Sequence, residues 1–464
     1  MIKKIFLLIL FVISSISAQE KEMIVVVGDS LVGKVINGES IREVSGNVVL
    51  TQGNVRITCR KAIQYLSRNE AELIGDVIAT QDTLIIRTER GFYFGNLRKT
   101  SSNSGVLLED KKVILTAKQG EYLFDENKAV FQSDVKLYDT VSTLTAQQLT
   151  YLRNEDRAIA TIDVKIIDSA NTIYADTVDH FRKKQITIAS GNVVIKNNSN
   201  NTLVLGEHLE DYRDSKYTII DKLPMLVQID STISTDSLGL ETVKLDTLFI
   251  QCKVMEVFRE PEQKFIATDS VKIIRDLFAS KNDLTVYLKD EEKIITQKLS
   301  DEHNQPVLWY DNSQLTGDSI TIYIEDKKIR QLDVDGNAFM VSQNKNYTKR
   351  FDQSSASGIK MFFADNKIQR AEFFGNVYSI YYLYEEEQPN GLMKANSSDA
   401  TIIFDSNEVS EVKLYGNPGS EYYPELQVEG NEKTYLLPKF ILIDDRPDKL
   451  KMYEQISRIK WQLH

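Results

Sequence analysis

The sequence predicts an all-β fold, an elongated stack of short antiparallel hairpins, and three observations carry that prediction. Segments such as VVLTQGNVRITC, SITIYIEDKKIRQLDVDG and NKIQRAEFFGNVYSIYYLY are rich in β-branched and aromatic residues that alternate with polar ones, the pattern of strands with one buried face. Val48, Val77, Val106, Val135, Val164 and Val193 follow one another at intervals of 29 residues, and self-similarity at a fixed period marks a repeat architecture. Amphipathic helical patterning is absent apart from one stretch, Lys449 to Leu463.

The chain begins with Lys3 and Lys4, an apolar run from Ile5 to Ile13, and small residues from Ser14 to Ala18. This is the pattern of a cleaved export signal over residues 1–18, with an apolar core too short to span a bilayer. No cysteine lies near the expected cut, which argues against a lipid anchor on an N-terminal cysteine. Because no later run of about 18 apolar residues follows, the mature chain is expected to have no transmembrane helix and to be exported in soluble form.

From residue 19 to 222 the repeat is regular. Asn or Asp stands immediately before the valine in Gly46-Asn47-Val48, Gly75-Asp76-Val77, Ser133-Asp134-Val135, Ile162-Asp163-Val164 and Gly191-Asn192-Val193, and only Val106, after Gly105, departs. Ala71, Ala129 and Ala158 keep the same beat, as do Tyr65, Phe94 and Leu123. Short charged stretches such as RNE, EDKK, ADNK and DSNE suit hairpin turns, so each unit accommodates at least two strands. Stacked at about 4.8 Å per strand, ten units would extend over about 50 to 100 Å.

Residues 223–245, rich in Ser, Thr and Asp, interrupt the beat and read as a linker or long loop between two lobes. A second, looser lobe is expected over 246–440, with Asp269-Ser270-Val271, Gly336-Asn337-Ala338, Gly375-Asn376-Val377 and Gly416-Asn417-Pro418 as its anchors. Lys345 to Gly358 and the EEEQPNG stretch near Glu385 read as loops, and 441–464 as a C-terminal tail with helical character.

Alternation assigns faces. Two residues beyond each anchor valine stand Leu50, Ala79, Leu108, Leu137, Ile166 and Ile195, while Lys136 and Lys165 fall between, so one face is apolar throughout. The inward set is Val48, Leu50, Val77, Val106, Leu108, Val135, Leu137, Val164, Ile166, Val193 and Ile195. Any sheet needs such a core, so these residues serve packing unless the two faces enclose an open groove. A net charge of −11 supplies no basic stripe for nucleic acid, and two cysteines, Cys59 and Cys252, provide no disulfide framework.

Two motifs near the start suggest enzymes. Gly28-Asp29-Ser30-Leu31 is the opening block of a serine-esterase family, and Gly28 to Lys34 spells most of a phosphate-binding loop. The esterase reading requires a histidine three residues after an aspartate, yet Thr177, Leu205, Ser300 and Trp461 precede His180, His208, His303 and His464 at that spacing. The phosphate loop lacks its magnesium-binding hydroxyl, since Val35 stands there, and Asn37-Gly38 prevents the helix it needs. His180 and His208, 28 residues apart, have no companion ligands at metal spacing. The expectation is therefore a non-enzyme without cofactor or metal.

Within SGNVVLTQGNVRITCRKAIQY, the residues Gly46-Asn47-Val48, Thr51-Gln52-Gly53, Ile57 and Ala62 resemble the signature of the LptA/OstA family of lipopolysaccharide-transport proteins, in its long OstA-like form from Bacteroidetes. Lys61-Ala62-Ile63 departs from the family's Ala-Asp pair, which Ala175-Asp176 supplies in a later repeat. The resemblance covers residues 24 to 215 and returns more loosely from 247 to 420. It implies a β-jellyroll of two facing antiparallel sheets, folded like a taco, whose apolar groove shields the acyl chains of lipopolysaccharide or lipid A. It also implies a periplasmic or outer-membrane-associated place, with edge strands pairing to copies of itself or to other proteins of a transport bridge. The competing reading is a non-catalytic structural scaffold or adhesin whose interior is simply filled.

Overall fold

The computed structural model describes residues 22–111, 113–235, 241–325, 328–364, 367–405 and 408–458. The expected export signal, residues 1–18, lies outside them. Antiparallel strands dominate, and the chain divides into two compact units: residues up to Thr140 with Gln148–Asn154, and Val141–Gln147 with Glu155–His464. The division therefore falls near residues 140–155. The stretch 223–245, expected to link two lobes, instead contributes to a paired hairpin, Met225–Thr235 with Glu241–Gln251. Its Met225, Val227 and Ile229 alternate with Leu226, Gln228 and Asp230, which satisfies strand periodicity despite the polar composition.

The 29-residue beat turns out to encode backbone geometry. At Gly46-Asn47, Gly75-Asp76, Ser133-Asp134, Ile162-Asp163, Gly191-Asn192, Asp269-Ser270, Gly336-Asn337, Gly375-Asn376 and Gly416-Asn417 both residues have positive φ. Within the paired strands these sites shift the register, as between Ser45 and Val48 or Ile74 and Val77. Those within strands are β-bulges that bend them, while Gly416-Asn417 joins strands Glu408–Tyr415 and Gly419–Tyr423; the Asn or Asp at the second position is favoured because those side chains tolerate the left-handed region. Gly46 and Gly191 have a second constraint, since a Cβ on either would sit 2.5 Å from the carboxylate of Asp29 or Asp176.

Those carboxylates belong to an outer corner cap. Asn47 Nδ2 donates to Asp29 at 2.8 Å in the first unit, and in the second Asn192 donates to Asp176 at 2.8 Å and Asn337 to Asp318 at 2.9 Å. At other corners the cap is an ion pair, Arg60–Asp76 at 3.2 Å or Lys253–Asp269 at 2.7 Å, or a serine hydroxyl donating to the corner carbonyl, Ser357 to Gly375 O at 3.0 Å and Ser398 to Gly416 O at 3.1 Å. Val48 pairs with Cys59 and Val164 with Ala175, so Cys59-Arg60, rather than Lys61-Ala62, occupies the place of the later Ala175-Asp176.

Each bend divides a strand into a valine arm, carrying the anchor residue, and a facing arm. In the second unit both arms contribute to one core, with Leu308, Leu315, Ala338, Ala356 and Val377 from the valine arm and Ile320, Ile322, Leu332, Ile359, Phe373 and Ile402 from the facing arm. Two expected loops shrink: Phe351–Ala364 is a strand, leaving residues 344–350 as the turn, and near Glu385 the chain turns at 386–387.

The tail provides the other departure. In the second unit the outer face of the valine arm is apolar too, and the C-terminal segment covers it. Val428 and Leu437 pack with Phe339, Val341, Ile380 and Leu392, Ile443 packs on Ala279, Val307 and Trp309, and Met452, from helix Lys449–Arg458, packs on Val194, Leu205, Phe249 and Ile274. The strap thus returns along the unit towards its earlier strands. The helix matches the expectation for 449–463 as far as it is described. Sheet strands buried on both faces lose the clean alternation of singly buried ones, which accounts for runs such as LFIQC and VLWY.

Candidate functional site

The first unit closes its mouth with polar clasps. At the valine-arm tips the inward residues are Gln52, Gln81 and Asp110, all buried, and each reaches a facing-arm tip 43 residues ahead. Gln52 Nε2 donates to Gly95 O at 3.1 Å, Gln81 Nε2 to Phe124 O at 3.4 Å, and Arg153 Nε donates to Asp110 at 2.9 Å. Arg98 adds bonds to Gln52 O at 3.1 Å and Asn54 at 2.7 Å, and Arg153 adds one to Thr83 at 3.0 Å. Tyr93 OH donates to Gln52 Oε1 at 2.6 Å, and burial pushes the hydroxyls of Tyr93 and Tyr122 up to about 12. Ile24 closes the first strands, donating its N–H to Asn69 Oδ1 and accepting from Gln64, both at 3.1 Å.

Of the predicted groove residues, Val48, Leu50, Val77, Val106, Leu108, Val135 and Leu137 lie in this clasped unit and are buried. Val164, Ile166 and Val193 are buried in the second unit, while Ile195 is half-buried. The ten buried residues are thus packed interior, and Ile195 is partly open to solvent. The clasp residues do not stand out in the sequence, although Gln52, Gln81, Asp110 and Asp139 keep the same 29-residue beat: the signal is polar and falls at turns, where polar residues are ordinary.

The second unit has a different mouth. Phe278, Tyr310, Met340 and Tyr381 at the valine-arm tips, and Ile294, Ile324, Ile329, Phe363 and Phe404 on the facing arm, lie against the shared core but are only half-buried. An apolar rim, partly open to solvent, therefore stands over a continuous apolar interior. At one end of it Asp352 accepts from the backbone N–H of Tyr382 at 2.9 Å, and burial raises its carboxyl to about 6. Ser354 bonds both Ser379 and Tyr381 at 3.1 Å.

The motifs that suggested enzymes are occupied structurally. Asp29 caps a corner, Lys34 pairs with Glu43 at 2.9 Å, and Ser30 begins the exposed strand Ser30–Ile36. His180 bonds Thr187 and His208 bonds Asp221, each at 2.9 Å. Cys59 and Cys252 are free and buried, and hold matching places: their thiols approach Lys61 O at 3.2 Å and Val254 O at 3.1 Å. A further cleft of about 410 Å³, lined by Tyr217, Glu256, Phe258 and Arg259 among others, lies at a facing-arm turn. None of the predicted residues line it.

No helix among the described residues is long and apolar enough to cross a membrane. No curated protein matches the chain. The family model described as OstA-like protein matches residues 20–176, which hold the clasped unit and the corners at Asn47, Asp76, Asp134 and Asp163. Over that stretch the chain is similar to OstA-like proteins.

Proposed function

We propose that this is a periplasmic, non-catalytic lipid-binding protein whose groove is the half-buried apolar rim of the second unit, and that its ligand is lipopolysaccharide or lipid A held by its acyl chains. The rim carries the reading. Phe278, Tyr310, Met340, Phe363, Tyr381 and Phe404 expose apolar surface over an apolar core, and methylene groups laid there would leave water at a gain of about 0.8 kcal/mol each. The match of residues 20–176 to the OstA-like model and the export-signal pattern support the setting.

The clasped first unit serves as scaffold in this reading and presents an edge. Strand Ser30–Ile36 pairs, among the described residues, with Glu39–Gln52 alone, and exposes Leu31, Val32, Val35 and Ile36. An unpaired apolar edge is a template for strand addition, which suits a second copy or a transport-bridge partner. The alternative, a structural envelope scaffold or adhesin, draws on the same closed interior.

Native mass spectrometry of protein purified from its own envelope, with lipid extraction, tests the proposal. Lipid A should co-purify and be lost in Met340→Asp, while melting temperature stays near the parent because the rim is half solvated. A lipid-free protein that also fails to capture added lipid A would sink the reading in favour of the scaffold.

A further inference from the structure

Strand Phe278–Leu288 is unlike its neighbours on the inward face. Ser280, Asn282 and Thr285 are buried there, in register with inward residues of the strands beside them. Ser280 pairs across from Leu308 and Ile273, Asn282 from Val271, and Thr285 from Ala267 and Thr296. These hydroxyls and the amide bond one another: Asn282 Nδ2 donates to Ser280 Oγ at 3.2 Å, and Thr285 Oγ1 to Asn282 Oδ1 at 2.8 Å. Thr296, also buried, donates to Ile320 O at 3.3 Å on the next strand. A belt of satisfied polar groups thus crosses both arms of the second unit. Leu308, Leu315, Ile320 and Ile322 begin the apolar core on one side, and Ala267, Val271 and Ile273 form buried apolar surface on the other.

We infer that the groove of the second unit is a one-ended compartment: an apolar chain enters sideways through the rim and stops at the Ser280–Asn282–Thr285–Thr296 belt, so the unit holds its ligand rather than passing it along its length. This rests on the proposed lipid reading and specifies how the site is bounded. An apolar chain gains by leaving water for hydrocarbon, whereas sliding over the belt would oppose methylenes to paired polar groups, or break those pairs and leave buried partners unsatisfied. Five strand spacings of about 4.8 Å separate Val307–Tyr310 from Gln388–Asp405 if the valine-arm strands stack regularly, giving a compartment about 25 Å long.

Displacement of a fluorescent fatty acid from the full chain by saturated fatty acids of increasing length tests this. Affinity should rise roughly fourfold per methylene and then level off. In Asn282→Leu/Thr285→Val the plateau should move to longer chains. Continued growth without a plateau in the parent, or a plateau unmoved in a folded double variant, would overturn the one-ended compartment. Failure of every fatty acid to displace the probe would instead overturn the groove itself. Should the double variant not fold, Met340→Trp and Phe265→Trp give the answer on the intact belt. Fatty acids brominated near the methyl end should quench the tryptophan at 340 and spare that at 265, and quenching at 265 refutes the inference.

Discussion

The two units close their interiors by opposite means. In the first, arm tips meet through buried polar pairs at a constant 43-residue separation; in the second, they converge through half-buried apolar side chains. The same bent hairpin therefore yields a sealed body or a rimmed groove according to the inward tip residues. The anchor valines do not distinguish the two, because Val48 and Val193 are equally buried.

The largest test of this contrast is Arg153→Met. It leaves Asp110, almost fully buried, without its cation, and breaking one side of a buried pair costs about 3–5 kcal/mol. The first unit should lose stability by that order in denaturant melts, while lipid A capture by the second persists. Asp110→Asn together with Arg153→Met should recover much of the loss. A single variant that melts like the parent would show that the clasp does not hold the unit shut.

Next in size is Leu437→Ala on the strap. Leu437 is buried among Phe339, Val341 and Tyr382, and its N–H donates to Gln353 Oε1 at 2.8 Å. Truncation of a buried leucine costs about 2–5 kcal/mol. The first unit has no place in that cluster, so hydrogen exchange should quicken along Lys328–Gln343 and Lys367–Glu385 only. Exchange that rises equally in Glu39–Gln52 would contradict a strap confined to the second unit.

A smaller effect follows from Asp352. Its folded-state value is raised to about 6 by burial, above the ordinary carboxylate value near 4. The folded state therefore binds more protons than the unfolded one between about pH 4 and 6, so stability is greater at acid pH, falls across that window and is constant above it. The loss is on the order of 2–3 kcal/mol. Asp352→Asn keeps an acceptor for Tyr382 N–H and should flatten the profile, raising the melting temperature at pH 7. A parent profile already flat between pH 4 and 6 would exclude the carboxylate as its source.

How much of this was legible in the sequence depended on which force left the mark. The strand class and the first five corners could be read because bulges demand residues that accept positive φ, so Gly, Asn and Asp recur on a strict beat. The inward valines could be read as well, but packing alone explains them. The second unit's rim could not: Met340, Phe363 and Tyr381 share no period, and an inward-facing aromatic at an arm tip looks like any core residue until its exposure is known. Residues 223–245 misled through composition, since polar residues such as Gln228, Asp230 and Ser231 on a strand resemble a loop. The tail's apolar residues gave no hint of the sheet face they cover, because that contact joins positions such as Leu437 and Gln353, far apart in sequence.

The beat itself can be tested where it breaks its own rule. Ile162 stands at the first corner position with φ of 66°, a conformation β-branched residues seldom adopt, and its side chain is exposed. A non-glycine residue held there costs about 1–3 kcal/mol, partly offset in the glycine variant by the greater entropy of its unfolded chain, about 0.5–1 kcal/mol. Ile162→Gly should therefore stabilise the second unit by about 1 kcal/mol. The reverse change, Gly191→Ile, should cost more than that, because its Cβ would also meet Asp176 at 2.5 Å. If Ile162→Gly were instead destabilising while lipid A capture fell, the exposed isoleucine would be acting through a contact of its side chain, and the corner would be more than a bend.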